Sequence, residues 1–361
     1  MIILQIIVFL LGLLITLATL SSAIRQTVLP GRKSVRLSLT LYRTTFLLIR
    51  LVMVRIRSVA IRNALAAFYA PMSVMLLPIA WVILLLLGFS LMFWGMSEPS
   101  LGTSLSLSGA AITTEGFLAP KGGGQTTLYI IEGIIGLGIV GLFITFHPTA
   151  YSIYSQREEQ VTRVAFRFGA PPSGVLVLAQ VYRLGLTEEL DELWRTWEEW
   201  FTTMAETHIT NSGVIFYHSS QPGTSWITTA GAILDACALF SSTVDHQDGP
   251  WVHLCFQADC RTLRDIVTDV ARPSIVSKLV SEQANHVTRA EYDAACETLS
   301  GSGVQIEADR EESWRVFVSL RCQYDTFLIA LANLVYAPKA PWSSDRTLGI
   351  APGKLMRLGP R

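Results

Sequence analysis

Charge is what this sequence has least of. Only 16% of its 361 residues are Asp, Glu, Lys or Arg, against about 25% in an ordinary soluble domain, while 50% are apolar and mean hydropathy is +0.42. That balance excludes a disordered chain and a freely soluble single-domain enzyme. The five cysteines, Cys237, Cys255, Cys260, Cys296 and Cys322, form no CxxC pair and no zinc spacing. They exclude a disulfide scaffold and read as small buried hydrophobes in a reducing compartment. Catalytic signatures are missing too: there is no glycine-rich phosphate loop, no HExxH and no GxSxG. His208, His218, His246 and His253, with Asp235, Asp245 and Asp248 near them in sequence, lack the spacing of a metal site or triad. No enzyme, cofactor or metal is expected, and the absence of a basic patch in the second half argues against nucleic acid.

What charge there is separates along the chain. Residues 1–154 hold ten basic and three acidic side chains, and residues 155–361 hold eighteen basic and twenty-five acidic ones. Three long runs in the first half are almost uncharged. Met1–Ile24 has no charge and is long enough to span a bilayer, which takes about 20 helical residues. The Ser21–Ala23 stretch also resembles a signal-peptide cleavage site, without the usual basic start. A second run includes Pro71–Trp94, with Pro71 suited to a helix start. A third runs from Thr126 to Phe146, broken only by Glu132 and closed by His147 and Pro148.

Between the first two runs lie nine cations, Arg25 to Arg62, and no acid precedes Glu98. By the positive-inside rule that segment is cytoplasmic. The N-terminus and residues 95–125 then face outward, and everything after Tyr151 is cytoplasmic, in a multi-pass protein of the plasma (inner) membrane. Arg36, Arg43, Arg50 and Arg57 recur every seven residues, two helical turns, so they form one stripe on a helix otherwise made of Leu, Phe, Ile and Val. Such a helix lies in the membrane interface and draws anionic lipid.

The stretch Ser97–Thr127 is unusually apolar for an exposed loop, with no charge from Leu101 to Ile112. A segment of that kind can dip into the membrane where protein or water shelters its backbone. Ser108-Gly-Ala-Ala-Ile-Thr-Thr-Glu-Gly-Phe-Leu-Ala-Pro120 resembles the end of the pore helix and the selectivity filter of two-helix potassium channels, the pore-loop cation channels. Thr113, Thr114, Gly116, the aromatic Phe117 and a following proline are kept. The family's valine, second glycine and aspartate are not. The resemblance implies a pore lined by Thr113, Thr114, Glu115, Gly116 and Phe117, a gating hinge near Gly138 in Gly133–Gly141, and a homotetramer passing monovalent or divalent cations. Leu118 in place of a glycine argues against a full four-site potassium filter. Glu115 then either contributes a ring of four carboxylates or hydrogen-bonds the loop backbone. Glu132, an intramembrane acid, either supports the pore loop or takes part in permeation.

The second half reads as helical. Pro172–Leu184, Thr187–Glu206, Ser225–Ser242 and Glu311–Tyr336 are expected helices, with shorter ones near Arg261 and Arg289. The second of these stacks Leu190, Trp194, Trp197 and Phe201 on one face. The expectation is an all-α polytopic membrane protein. Residues 1–24 form a transmembrane helix, 25–66 a basic interfacial segment, and 67–155 a potassium channel-like pore domain with its pore loop at 100–120. Residues 156–336 form a cytoplasmic helical domain, and 337–361 a disordered tail. The functional expectation is a cation channel-like protein with a regulatory domain. The alternatives are a non-conducting scaffold or sensor of the same ancestry and, third, a membrane-anchored enzyme.

Overall fold

The computed structural model describes residues 2–27, 59–96, 100–245, 249–282, 284–350 and 355. Arg36, Arg43, Arg50 and Arg57 lie outside them. The described residues are helical, with one isolated antiparallel bridge between Val244 and Ile306. They divide into two compact units that meet in sequence at Ala70–Pro71 and at Tyr151–Ser152, so that residues 59–70 and 152–168 belong to the second.

The first unit contains α1 (Ile2–Thr27), the part of α2 (Val59–Gly95) from Pro71 onward, α3 (Leu101–Ile112) and the start of α4 (Gly122–Phe168). Three stretches, Ile2–Thr27, Met75–Gly95 and Gly122–Phe168, are long and apolar enough to cross a membrane. Two helices outrun their expected ends. α2 starts twelve residues before Pro71, and α4 continues through Pro148. A proline removes one backbone hydrogen bond, a loss that a long apolar helix tolerates when its neighbours compensate.

Packing of α1 inverts the pattern of a soluble helix. α1 buries Gly12, Thr16, Thr19, Ser22 and Ala23, while Ile3 and Leu14 are 76% and 65% exposed. Small residues inward and large aliphatics outward are what helices in lipid need, because close backbone approach rather than apolar burial drives their association. The approach is visible at the glycines. A Cβ on Gly88 would lie 2.5 Å from Thr16 Oγ1, one on Gly95 would lie 2.7 Å from the Gln5 carbonyl oxygen, and one on Gly12 would overlap the Gly88 carbonyl. As α1 ascends, its contacts on α2 descend, so the pair is antiparallel; Trp81 Nε1 donates to Ser22 Oγ at 3.3 Å at the far end. Leu77, Trp81, Leu85, Phe89 and Phe93 of α2 form the core, joined by Leu107 and Ile112 of α3 and Leu128 and Ile139 of α4.

The second unit is built around α7 (Trp226–Thr243), which is buried along nearly its whole length. Packed around it are α5 (Gly174–Arg183), α8 (Pro250–Val270), α11 (Arg310–Arg321) and α12 (Asp325–Leu334); α6 (Leu190–Thr210) packs along α8 and meets α7 through Trp194 against Phe240, with α9 (Pro273–Ser281) and α10 (Arg289–Ser300) completing the shell. The aromatic face of α6 is core, as its spacing suggests, and Trp200 joins it. The expected helix Glu311–Tyr336 is two helices. The chain breaks at Cys322–Tyr324, where the Arg321 side chain bonds across the turn to Asp325 at 2.7 Å. The helix near Arg261 is 21 residues long rather than short. The segment expected as a tail packs through part of its length: Ala340, Trp342, Ser343 and Ser344 are buried, and Arg321 Nη2 donates to the Trp342 carbonyl.

The glycine contacts generate a stability prediction. Gly12→Val forces a side chain into the α2 backbone, and overpacking of this kind costs about 1–3 kcal/mol. Gly138→Ala adds a Cβ that meets nothing. Thermal unfolding in detergent, followed by tryptophan fluorescence, should fall by several degrees for the first and stay within error for the second.

Candidate functional site

α3 is short and weakly apolar, yet both of its neighbours hold it through polar atoms. Ser100 caps its start, accepting from Thr103 N at 3.1 Å. Ser104 and Ser108 are fully buried. Ser108 Oγ lies 3.0 Å from the Leu86 carbonyl of α2 and 2.5 Å from Glu132 Oε1 of α4. Further along, Gly133 and Gly136 let α4 lie against the Ala111 and Ile112 carbonyls. At 1.5 Å per residue, Leu86 is about 14 Å from the Gly95 end of α2, Glu132 about 15 Å from the Gly122 end of α4, and Gly136 about 21 Å from it. α3 therefore runs down beside α4, and its last residue lies level with Gly136.

The turn that follows carries the residues singled out for the pore. Thr113 N donates to the Gly109 carbonyl, Thr114 N to Ala111 and Gly116 N to Ala110. Thr114 and Gly116 have φ of +59° and +69°. Residues 113–117 are all exposed, Phe117 by 62%, and the Glu115 carboxylate makes no ion pair or loop hydrogen bond among the described residues. Residues 113–121 then return to the Gly122 end, and nine residues at about 3.3 Å each easily cover that distance.

Glu132 is fully buried, and its hydrogen bond among the described residues goes not to the turn but to Ser108, one turn before the end of α3. Its Oε2 has no partner among the described residues. Gly138 is exposed on a helix that passes through it uninterrupted. Ser108 was legible only as the start of the resemblance; a serine four residues ahead of an apolar helix end carries no sign that it will meet a glutamate twenty-four residues on.

In the second unit polar groups are buried as structural ties. Arg157, 2% exposed, donates to Glu158 and to the Val214 and Tyr217 carbonyls, and stacks over Tyr154 and Trp226. Burial and the Arg157 charge hold the neighbouring His208 well below its ordinary value and His218 down at about 4, so both are neutral. Arg321 forks between Asp235 and Asp325, with Tyr324 on Asp235 and His286 on Asp325. Burial alone would lower the guanidinium; Asp235, Tyr324 and Asp325 outweigh it and hold it above its ordinary value. Two clefts of about 220 and 250 Å³ lie between Ile153–Phe168 and Glu189–Thr207 and share Gln160 and Thr196. Neither joins a nucleophile to a base. Among the described residues no group of three or more His, Cys, Asp or Glu could hold a metal, and His246 lies outside them. Cys237, Cys255 and Cys296 are buried free thiols.

No protein-family model, curated protein or solved structure matches the chain.

The second unit also buries an acid without a hydrogen-bond partner among the described residues. Asp259 of α8 is fully buried and neither oxygen has a partner among the described residues. Burial, with Cys255 and Asp235 nearby, pushes its carboxyl well above the ordinary range. The folded chain thus binds this proton more tightly than the unfolded chain, so its stability is greatest below about pH 4 for this group and declines as pH rises, by about 1.4 kcal/mol per unit until the folded value is reached. Asp259→Asn should remove that decline and stabilise the protein at neutral pH by a few kcal/mol. Urea unfolding between pH 4 and 8, read by tryptophan fluorescence, measures it.

Proposed function

We propose that this chain is a subunit of a membrane cation channel-like assembly, a homotetramer in which α3 is a re-entrant helix and residues 113–117 line the narrowest part. The observation that carries the reading is the level of the exposed turn. If α4 crosses a bilayer, a turn level with Gly136 lies inside the roughly 30 Å hydrocarbon core. Exposed backbone and a carboxylate are tolerated there only against protein or water. Further copies of the chain, surrounding a water-filled axis, supply both. In such an assembly four Glu115 carboxylates form a ring that concentrates cations. The exposed aliphatic faces of α1 and α4 meet lipid or neighbouring subunits, the N-terminus faces outward, and the second unit lies in the cytoplasm as the regulatory or docking part.

The test is cation flux into liposomes carrying the purified protein, with K⁺, Na⁺ and Ca²⁺ compared. Flux should be present for cations and fall roughly tenfold at low salt in Glu115→Gln, with a smaller loss at high salt, because a charged constriction raises local ion concentration by about that much or more. Absence of flux for every ion from a folded tetramer would reject conduction and favour the non-conducting scaffold.

A further inference from the structure

We propose that Glu132 is a proton-binding site, holding a neutral carboxylic acid whose proton fixes α3 between α2 and α4. The inference deepens the reading above, since the acid stands behind the candidate pore turn, but its test does not require conduction.

The argument is a count of hydrogens. Ser108 Oγ has one hydrogen and two close acceptors, the Leu86 carbonyl at 3.0 Å and Glu132 Oε1 at 2.5 Å. If Glu132 is ionised, that hydrogen must serve the carboxylate. The contact with Leu86 then holds no hydrogen, and a fully buried anion is left with one donor and a bare Oε2. If Glu132 carries a proton on Oε1, the acid donates to Ser108 and Ser108 donates to Leu86. Each short contact then contains a hydrogen, and the atom left without a partner is a neutral carbonyl oxygen, which costs far less to bury than a charge.

Nothing around the acid offers a compensating cation. α3 and α2 from Met75 onward contain no titratable side chain. On the part of α4 in the first unit the groups are Tyr129, whose hydroxyl also lacks a partner among the described residues, and His147 and Tyr151, more than ten helical residues away; the charged groups of α4 begin at Arg157, farther still along the helix. The turn and the segment after it carry Glu115 and Lys121, both exposed, and α1 carries Arg25 in its last turn.

The proton has a mechanical consequence. When it leaves, the one hydrogen of Ser108 turns to the carboxylate and the tie from α3 to α2 is lost. α3 ends in residues 113–117, so occupancy of this site controls how firmly the turn is held. Raising the pH releases it.

Infrared spectroscopy of the full chain in lipid tests this directly. At neutral pH the spectrum should contain a protonated-carboxyl carbonyl band that shifts in heavy water and disappears in Glu132→Gln. The difference between the two proteins separates Glu132 from Asp259. In Ser108→Ala the band should remain and move to higher frequency as its hydrogen bond is lost. Should Glu132→Gln fail to fold, ¹³C-glutamate labelling of the unmodified chain distinguishes the acids, because only a protonated glutamate would shift. The same neutral-pH band with and without Glu132, or a band insensitive to glutamate labelling, overturns the proposal. A glutamate band in vesicles that conduct no ion leaves the proton site standing and rejects the channel.

Discussion

Polar atoms placed among apolar helices must find partners within the protein, and the first unit is organised by that constraint. α3 has too few large side chains to be fixed by packing alone. Its position follows from Ser108, which reaches one carbonyl on α2 and one carboxyl on α4, and from Gly133 and Gly136, which open the surface of α4 to the end of α3. The antiparallel pair α1–α2 obeys the same constraint by other means. Thr19 and Ser90 return hydrogen bonds to their own helix, to Ile15 and Leu86, while Ser22 accepts from Trp81 across the pair, beside the close glycine contacts.

The second unit solves the opposite problem. It has ample apolar surface, and its buried charges select an arrangement rather than supply the driving force. Arg321 ties α7, α11, α12 and the Trp342 backbone together, and removing it would leave two carboxylates uncompensated, a loss of about 3–5 kcal/mol for a pair of this kind. Arg157 does the same for Val214 and Tyr217, the segment joining α6 to α7. Asp259 is the exception, an acid with no such partner.

Much of this was legible in the sequence, and the part that was not has a physical reason. Long uncharged runs announce helices able to cross a membrane because length and hydropathy decide that property locally. The aromatic face of α6 is legible because helical spacing decides it. Long-range polar pairing is not legible, since Arg157 and Arg321 are buried while Arg163 and Arg315 are exposed and nothing in their flanking residues differs in kind. The break at Cys322–Tyr324 is not legible either: the local pattern continues as a helix across it, while the structure ends one helix at Arg321 and begins the next at Asp325. The small residues Gly12, Thr16, Thr19 and Ala23 were the one overlooked local signal, a stripe at helical spacing inside a run read only for its hydropathy.

The turn after α3 shows where local preference gives way. Gly116 meets its positive φ at no steric cost, but Thr114, two residues earlier, is β-branched and held at +59°. Left-handed backbone at such a residue costs on the order of 1–3 kcal/mol and persists only where surrounding contacts over-determine it. Here they are the hydrogen bonds from residues 113, 114 and 116 back into the last turn of α3, so the strain is borne by the element that Ser108 and Glu132 hold in place. Two left-handed residues two apart turn the intervening Glu115 outward from the unit. Leu118 has no positive φ, so the alternation ends at Gly116. The turn is thus short, strained, and held through its hydrogen bonds to the last turn of α3.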